Sequence, residues 1–275
     1  MMNEHSPRWL AAAALAVAMA ATAPAHAELS AEELAKLAQN PVANLVTVPF
    51  QYNANFNVGP LNGTQSVLNI QPVLPFSPTE EWNIITRTII PIIWNPALSP
   101  TIDSRSGLGD IEFSAMLSPG KPGEWIWGVG PIFQLPTSSN AELGNRNWGM
   151  GAQGLLMHLD KGDPWVYGVL VNNIWSLTSN KQGGSYSTFL FQPFVNYNIP
   201  GGSGWYLNSG PEWTANWKAD SGQQWTVPLG GGVGKIVHFG ELPVNLRLTA
   251  YYNVVKPDYA ANWQIQAQMQ FMFPK

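Results

Sequence analysis

The last stretch of the chain, from Asn262 to Phe273, alternates between two kinds of side chain. Apolar side chains occupy the odd positions from Trp263 to Phe273, and amides occupy the even positions from Asn262 to Gln270. Because successive side chains of a β-strand point to opposite faces, this stretch predicts a strand with one apolar and one amide face. Neither face carries a charge. Such a strand suits a membrane barrel, with lipid against the apolar face and a wet lumen against the amide face.

The composition agrees with many short strands joined by tight turns. Charged residues make up 11% of the chain, against about 25% in ordinary globular domains, while 12% of the residues are aromatic. Glycine (26) and proline (23), which favour turns, are abundant. The net charge of −4, without a basic block, argues against a nucleic-acid partner. With no cysteine, a disulfide framework is excluded.

Residues 1–27 have the pattern of a secretory signal peptide. Arg8 supplies the positive region, an Ala-rich apolar run extends from Trp9 to Ala21, and Ala25-His26-Ala27 fits the cleavage rule. A transmembrane anchor is the alternative, but the apolar run falls short of the roughly 20 residues that a spanning helix needs. We therefore expect export and cleavage after Ala27.

Residues 28–41 form the one predicted helical segment. Ser30 and Glu33 have the spacing of a capping box, and Pro41 ends the segment. Two interpretations are open: a solvated N-terminal helix, or a small plug that rests in a lumen.

From residue 42 to residue 275 the apolar pattern has a period of two. The runs indicate about twelve strands, and therefore an all-β chain that forms a transmembrane antiparallel up-and-down β-barrel. As the last strand would pair with the first, Gln51, Asn53, Asn55 and Asn57 are expected to continue its amide face across the closure. The glycines at 149–154 and 230–234 predict bends or close contacts between strands, with docking of the helix as an alternative.

The predicted connections alternate in length. Stretches 77–81, 118–124, 160–164, 200–204 and 240–243 are short and rich in glycine and proline. Between them lie 95–107, 136–147, 178–185, 218–224 and 256–261, which are mostly longer and more polar. Outer-membrane barrels have short periplasmic turns and longer external loops, so this alternation favours that class.

Tryptophans stand where a membrane barrel carries its aromatic girdles. Pairs of them bracket single strands with the same parity, 10–12 residues apart, which at about 3.3 Å per residue and a tilt near 45° spans roughly 23–28 Å. This span matches the apolar band of about 25 Å between the two girdles. The predicted girdle consists of Trp82, Trp94, Trp125, Trp165, Trp175, Trp205, Trp217 and Trp263.

The polar residues opposite to the apolar positions are candidates for the lumen. A charge that faces lipid at the midplane costs about 2–4 kcal/mol, so an interior placement is favoured. The candidate pore-lining residues are Arg87, Asp110, Glu112, Glu212, Arg247, Gln264, Gln266 and Gln268. Two interpretations of the charged members are open: they tune what passes through a pore, or they form an ion-pair network that fills a narrow barrel.

Catalysis has little support in the sequence. Only His158 and His238 remain after the expected cleavage, no Gly-x-Ser-x-Gly motif occurs, and no cluster has metal-ligand spacing. Asp110 and Glu112 could mimic a pair of catalytic carboxylates, but neighbours on one face of a strand are common. We expect no enzyme, no cofactor and no metal.

Four segments resemble a known protein family: QNPVANLVTVPFQYN (39–53), GLGDIEFSAMLSP (107–119), WGVGPIFQLPTSS (127–139) and the closing strand from Trp263 to Phe273. The family consists of Gram-negative outer-membrane proteins that are labelled phenol meta-cleavage-pathway or transporter proteins, and sometimes neuromedin U. The resemblance covers the mature chain. It implies an outer-membrane β-barrel that passes small organic or aromatic compounds, and it supplies no catalytic residues.

The expected function is that of a narrow passive channel for small neutral or weakly polar solutes, because the predicted interior consists mainly of amides and hydroxyls. Its expected partners are outer-membrane lipid, the barrel-assembly machinery and a small organic solute, and the chain is expected to be a monomer. One alternative is a closed barrel with a structural or surface-binding role and no transport. Another is a secreted, soluble β-sandwich.

Overall fold

The computed structural model describes residues 29–98, 102–179 and 184–274. The expected signal peptide, residues 1–27, lies outside the described residues. Within them, helix α1 (Ala31–Gln39) precedes fifteen strand segments. The segments are β1 (Val46–Val58), β2 (Gly63–Ile70), β3 (Val73–Phe76), β4 (Trp82–Asn95), β5 (Arg105–Leu108), β6 (Ile111–Pro119), β7 (Trp125–Leu135), β8 (Gly149–Leu159), β9 (Trp165–Ser176), β10 (Ser187–Asn198), β11 (Trp205–Ser209), β12 (Trp213–Asn216), β13 (Trp225–Phe239), β14 (Leu242–Val255) and β15 (Trp263–Phe273).

The segments form one closed barrel of twelve antiparallel strands. Three barrel strands consist of two segments each, namely β2 with β3, β5 with β6, and β11 with β12. Closure is made by β15 and β1, which pair from Val46↔Phe273 to Phe56↔Trp263. The predicted fold and strand number are therefore confirmed, and the alternative prediction of a soluble β-sandwich is wrong. No helix in the described part of the chain is long and apolar enough to cross a membrane.

Proline explains two of the breaks within barrel strands. Pro72 separates β2 from β3, and Pro211 separates β11 from β12. Proline has no backbone N–H to donate to a sheet. Hydrogen bonding resumes directly beside the first break, where the Gln71 N–H donates to the Pro49 carbonyl at 2.9 Å and the Thr88 N–H to the Pro72 carbonyl at 3.1 Å. The wall therefore stays closed around a local irregularity.

The amide wall that the sequence predicts across the closure is present. Gln264 Nε2 donates to Asn55 Oδ1 at 2.8 Å, and Gln266 Nε2 donates to Asn53 Oδ1 at 3.1 Å. On the opposite face, Trp263 is exposed, whereas Gln266 inside is only 8% exposed. The odd positions of β15 therefore face outward and the even positions face the interior, as expected.

Glycines in β13 allow close contacts between strands. A Cβ at Gly232 would lie 1.9 Å from the Leu248 carbonyl oxygen, and one at Gly234 would lie 2.1 Å from the ring of Tyr206. Larger residues would therefore push the neighbouring strands apart. The nearest atoms to positions 230–234 belong to strands, so close packing of strands, and not docking of the helix, accounts for these glycines.

The two ends of the barrel differ. Connections 77–81, 120–124, 160–164, 199–204 and 240–241 lie at one end, called here the short-turn end, together with α1. The turn 59–62 and the connections that join β4 to β5, β7 to β8, β9 to β10, β12 to β13 and β14 to β15 start and end at the other, the long-loop end. The predicted alternation in length is thus present, except that the turn 59–62 at the long-loop end is short.

Candidate functional site

Helix α1 begins with the capping box that the sequence predicts. The Glu33 N–H donates to Ser30 Oγ at 3.2 Å, and the Ser30 N–H donates to Glu33 Oε2 at 3.0 Å. These two bonds satisfy backbone donors that every helix leaves unpaired in its first turn. The Ser30 donors also stabilise the carboxylate and hold the pKa of Glu33 below its ordinary value.

The apolar face of α1 is buried in the mouth of the barrel at the short-turn end. Leu34 is 3% exposed and Ala35 is 1% exposed. They pack in one cluster with inward-facing residues from four different strands or strand ends: Leu45, Tyr206, Ile236 and Met272. A helix of nine residues is unstable alone in water, so this burial holds it in place. The helix is thus docked rather than solvated.

Polar bonds tie the same helix to the short turns. Lys36 Nζ donates to the carbonyls of Asp160 and Lys161, each at 2.7 Å. The Gly201 N–H donates to Glu32 Oε1 at 2.8 Å. The amides of Gln39 and Asn198 donate to each other at 2.8 and 3.2 Å. These contacts fix the orientation of α1 across the mouth.

A cavity of about 170 Å³ lies inside the barrel beside the helix. The end of α1 and the segment after it form one side of the cavity, from Leu37 to Pro41. The strands supply amides and three charged residues. These polar lining residues include Gln51, Gln71, Arg87, Gln192, Asn196, Asn208, Glu212, Asn245, Arg247, Gln266, Gln268 and Gln270.

The arginines of the cavity are held by amides. Arg247 Nη2 donates to Gln268 Oε1 at 2.6 Å and to Gln266 Oε1 at 3.2 Å. On the far wall, Arg87 Nη2 donates to Gln71 Oε1. Among the described residues, no ion pair within 4.0 Å involves either arginine. The charged residues therefore form no network of contact ion pairs in this part of the chain.

The interior charges lie on opposing walls of the barrel. Arg87 on β4 and Glu112 on β6 are neighbours on one wall, while Glu212 and Arg247 on β14 lie on the other. Arg87 interacts electrostatically with both Glu212 and Glu112. We call these four residues the charged belt. It places both signs of charge around the lumen.

The structure brings five of the eight pore-lining candidates together at the cavity: Arg87, Glu212, Arg247, Gln266 and Gln268. Glu112 and Gln264 lie on the inner face but do not line the cavity. Gln264 bonds to Asn55 nearer the long-loop end.

Asp110 has a different position from the one expected. Its carboxylate accepts hydrogen bonds from the backbone of Ser138 and of Arg146, each at 3.0 Å, and from Gln134 Nε2 at 3.2 Å. It does not line the cavity, and it anchors the connection 136–148 at the long-loop end instead. Its parity predicts the inner face correctly, but the folded loop covers that part of the face.

The other half of the interior is apolar, which the sequence analysis missed. Inward-facing side chains of β4 and β6–β9 form a buried cluster with Val42: Ile85, Met116, Ile126, Leu155, Met157, Val166 and Leu170. The sequence did contain an indication of this. Met116 has the same parity as Glu112, which is predicted to face the interior, so parity alone places Met116 on the inner face. The lumen is therefore lined by polar side chains on one side and packed with apolar side chains on the other.

The predicted girdle tryptophans lie in two sets at opposite ends of the barrel. Those at the short-turn end are Trp82, Trp125, Trp165 and Trp205, and those at the long-loop end are Trp94, Trp175, Trp217 and Trp263. All eight are exposed on the outside, by 36% to 53%. This arrangement is typical of the two aromatic girdles of a membrane barrel.

No group of three or more His, Cys, Asp or Glu that could hold a metal ion occurs in the described part of the chain.

Comparison with known proteins gives a likeness of fold. No protein-family model matches the chain, and no curated protein matches it. Among solved structures, an outer-membrane channel from Pseudomonas putida F1 superposes with a TM-score of 0.62 at 16% identity, over 83% of this chain and 94% of that one. The NanC porin superposes with a TM-score of 0.53 at 10% identity, over 84% of this chain and 100% of the porin. At these identities the likeness shows the barrel fold alone.

Proposed function

We propose that this chain is an outer-membrane channel that lets small neutral or weakly polar organic solutes pass passively. The observation that carries the proposal is the closed barrel itself, which is apolar outside and encloses an amide-lined cavity of about 170 Å³. A barrel with this distribution satisfies all backbone groups in lipid and offers polar contacts to a solute inside. Two of the solved barrels that it resembles are described as a channel and a porin.

The exterior supports placement in a membrane. Large apolar side chains are exposed on strands around the whole barrel, among them Leu117, Val129, Leu156, Leu207 and Leu248. A soluble protein rarely exposes continuous apolar patches larger than a few hundred Å². By the usual arrangement of outer-membrane barrels, the short-turn end is periplasmic and the long-loop end is external. Location in the outer membrane, a monomeric state and help from the barrel-assembly machinery belong to the same proposal.

The lining of the cavity supports the solute class. Amides offer both donors and acceptors without a strong field, which suits solutes with few charges. Leu170 and Phe194 add an apolar patch to the lining, and so would accept the apolar face of an organic, including aromatic, compound. The charged residues that line the cavity are Arg87, Arg247 and Glu212, so charges of both signs face a solute there. We infer a passive, non-enzymatic role.

Liposome swelling with the refolded protein tests this proposal. Benzamide and benzoate have similar sizes but differ in charge, so benzamide is expected to enter faster. Single-channel recording of the same preparation should show a small conductance. A barrel that passes neither ions nor either solute would refute the channel.

A closed barrel without transport is the second candidate, because α1 covers the short-turn mouth and an apolar cluster fills half of the interior. A variant that lacks residues 29–40 separates the two candidates. If conductance stays at the level of bare bilayer even without this segment, the closed barrel is favoured.

A further inference from the structure

The outer wall of the barrel has a hollow of about 560 Å³ that the proposed channel does not use. It spans the strands β11, β13, β14, β15, β1 and β2. The strand register arranges its outward side chains in two rows across these strands. The row nearer the short-turn end is Trp205, Lys235, Leu246, Met269 and Phe50, and the deeper row is Val233, Leu248, Ala267, Tyr52 and Leu68.

The hollow exists because one position in the deeper row is occupied by a residue with a small side chain. Ala267 stands between Leu248 of β14 and Tyr52 of β1, both of which project further from the wall. The flanking side chains thus form the rims and Ala267 the floor. The surrounding side chains are apolar, so the hollow suits a hydrocarbon chain.

Lys235 is the one charged residue in the two rows. Its Nζ lies over the ring of Trp205, 4.9 Å from the ring centroid. No carboxylate in the described residues forms an ion pair with it. Trp205 belongs to the girdle at the short-turn end, so the cation lies near the expected membrane interface, where its cost is small.

We propose that this hollow binds an anionic glycerophospholipid of the leaflet at the short-turn end. An acyl chain lies over Ala267, and the phosphate group binds Lys235 beside Trp205. The order of the rows favours this orientation, because the cation is at the interface side and the apolar floor is deeper in the membrane. A second copy of the chain fits less well, since its apolar outer face would bury Lys235 without a partner charge.

Native mass spectrometry of the detergent-purified protein tests the proposal with two probes, phosphatidylglycerol and phosphatidylcholine. A single lysine near the interface corresponds to about a fivefold preference for the anionic lipid. We expect the wild type to retain one phosphatidylglycerol with about this preference. Lys235→Gln should lose the preference, and Lys235→Arg should keep it. Lys161→Gln is the matched control, because Lys161 is exposed at the same end but lies outside the hollow.

Filling the hollow gives a second, independent test. Ala267→Trp should reduce the retention of both lipids by occupying the acyl site, and heat-modifiable migration on a gel will show that the variant is folded. Equal lipid ratios in the wild type and in Lys235→Gln would overturn the proposal, as would unchanged retention in a folded Ala267→Trp. A dimer in the native spectrum would assign the hollow to a second copy, and displacement of the lipid by inorganic phosphate alone would assign the site to a free anion. Either result would also overturn the proposed lipid site. The proposed channel would be unaffected, because it is tested separately by its conductance.

Discussion

The burial of Leu34 makes the docking of α1 measurable. Leu34→Ala removes most of a side chain that is 3% exposed in the wild type and that packs on Leu45 and Met272. Truncation of a buried leucine to alanine costs about 2–5 kcal/mol, and we take the lower part of this range because α1 lies at the mouth of the barrel. A loss of about 2–3 kcal/mol raises the population of the undocked helix roughly 25- to 150-fold.

Thiol labelling reports this population directly, because the chain contains no cysteine. Ala35 is 1% exposed, so a cysteine placed there reacts with a maleimide only when the helix leaves its seat. The labelling rate of Ala35→Cys should therefore rise roughly 25- to 150-fold when Leu34→Ala is added. Leu29→Cys is the control, because Leu29 is 39% exposed and should label at one rate in both backgrounds.

Two results would refute this reasoning. If Ala35→Cys reacts as fast as Leu29→Cys while Leu34 is intact, the helix is not docked in solution. If Leu34→Ala changes the rate at position 35 by less than about threefold, the apolar contact does not hold the helix, since even about 1 kcal/mol would give a larger change.

Three further predictions concern other parts of the molecule. The depressed pKa of Glu33 means that its contribution to α1 is complete above the ordinary value of 4.5 and is lost as the pH falls through the folded value below it. Hydrogen-exchange protection of α1 should fall in that acid range, and Glu33→Gln should show no such pH dependence. Glu212→Gln should shift the reversal potential in a salt gradient toward anion selectivity, and Arg247→Gln should shift it toward cation selectivity. If neither variant changes the reversal potential, the charged belt takes no part in ion conduction. Asp110→Ala should speed protease cleavage within 136–148 by at least about tenfold, since the loss of even one hydrogen bond to a charged group costs about 1.5–3 kcal/mol. The urea midpoint of the barrel should hardly change, and equal cleavage rates would contradict the anchoring role.

The closing strand shows how much of the fold could be predicted. The alternation from Trp263 to Phe273 depends only on the geometry of a strand, so the faces of β15 and its pairing with β1 followed from residues alone. The bonds of Gln264 and Gln266 to the first strand confirm that prediction. The same local rule gave the twelve strands and the two ends of the barrel.

The candidate site was predicted less completely. Parity assigns a side chain to the inner face but does not say what else occupies that face. Asp110 is inward as predicted, yet the loop 136–148 folds over it, and the loop has no periodic pattern. The lipid-binding hollow is a similar case, because it depends on which residues stand beside Ala267 on strands far away in sequence.

Sequence by itself determined the period of the strands, the barrel class and the capped start of α1, because each depends on neighbours a few residues apart. Only the tertiary structure decided that α1 docks in the short-turn mouth, that Arg87 and Glu212 lie on opposing walls, and that half of the lumen is packed with apolar side chains. Those contacts depend on the number of strands, their tilt and the stagger of the closed sheet. These quantities belong to the whole barrel, and no single stretch of residues carries them.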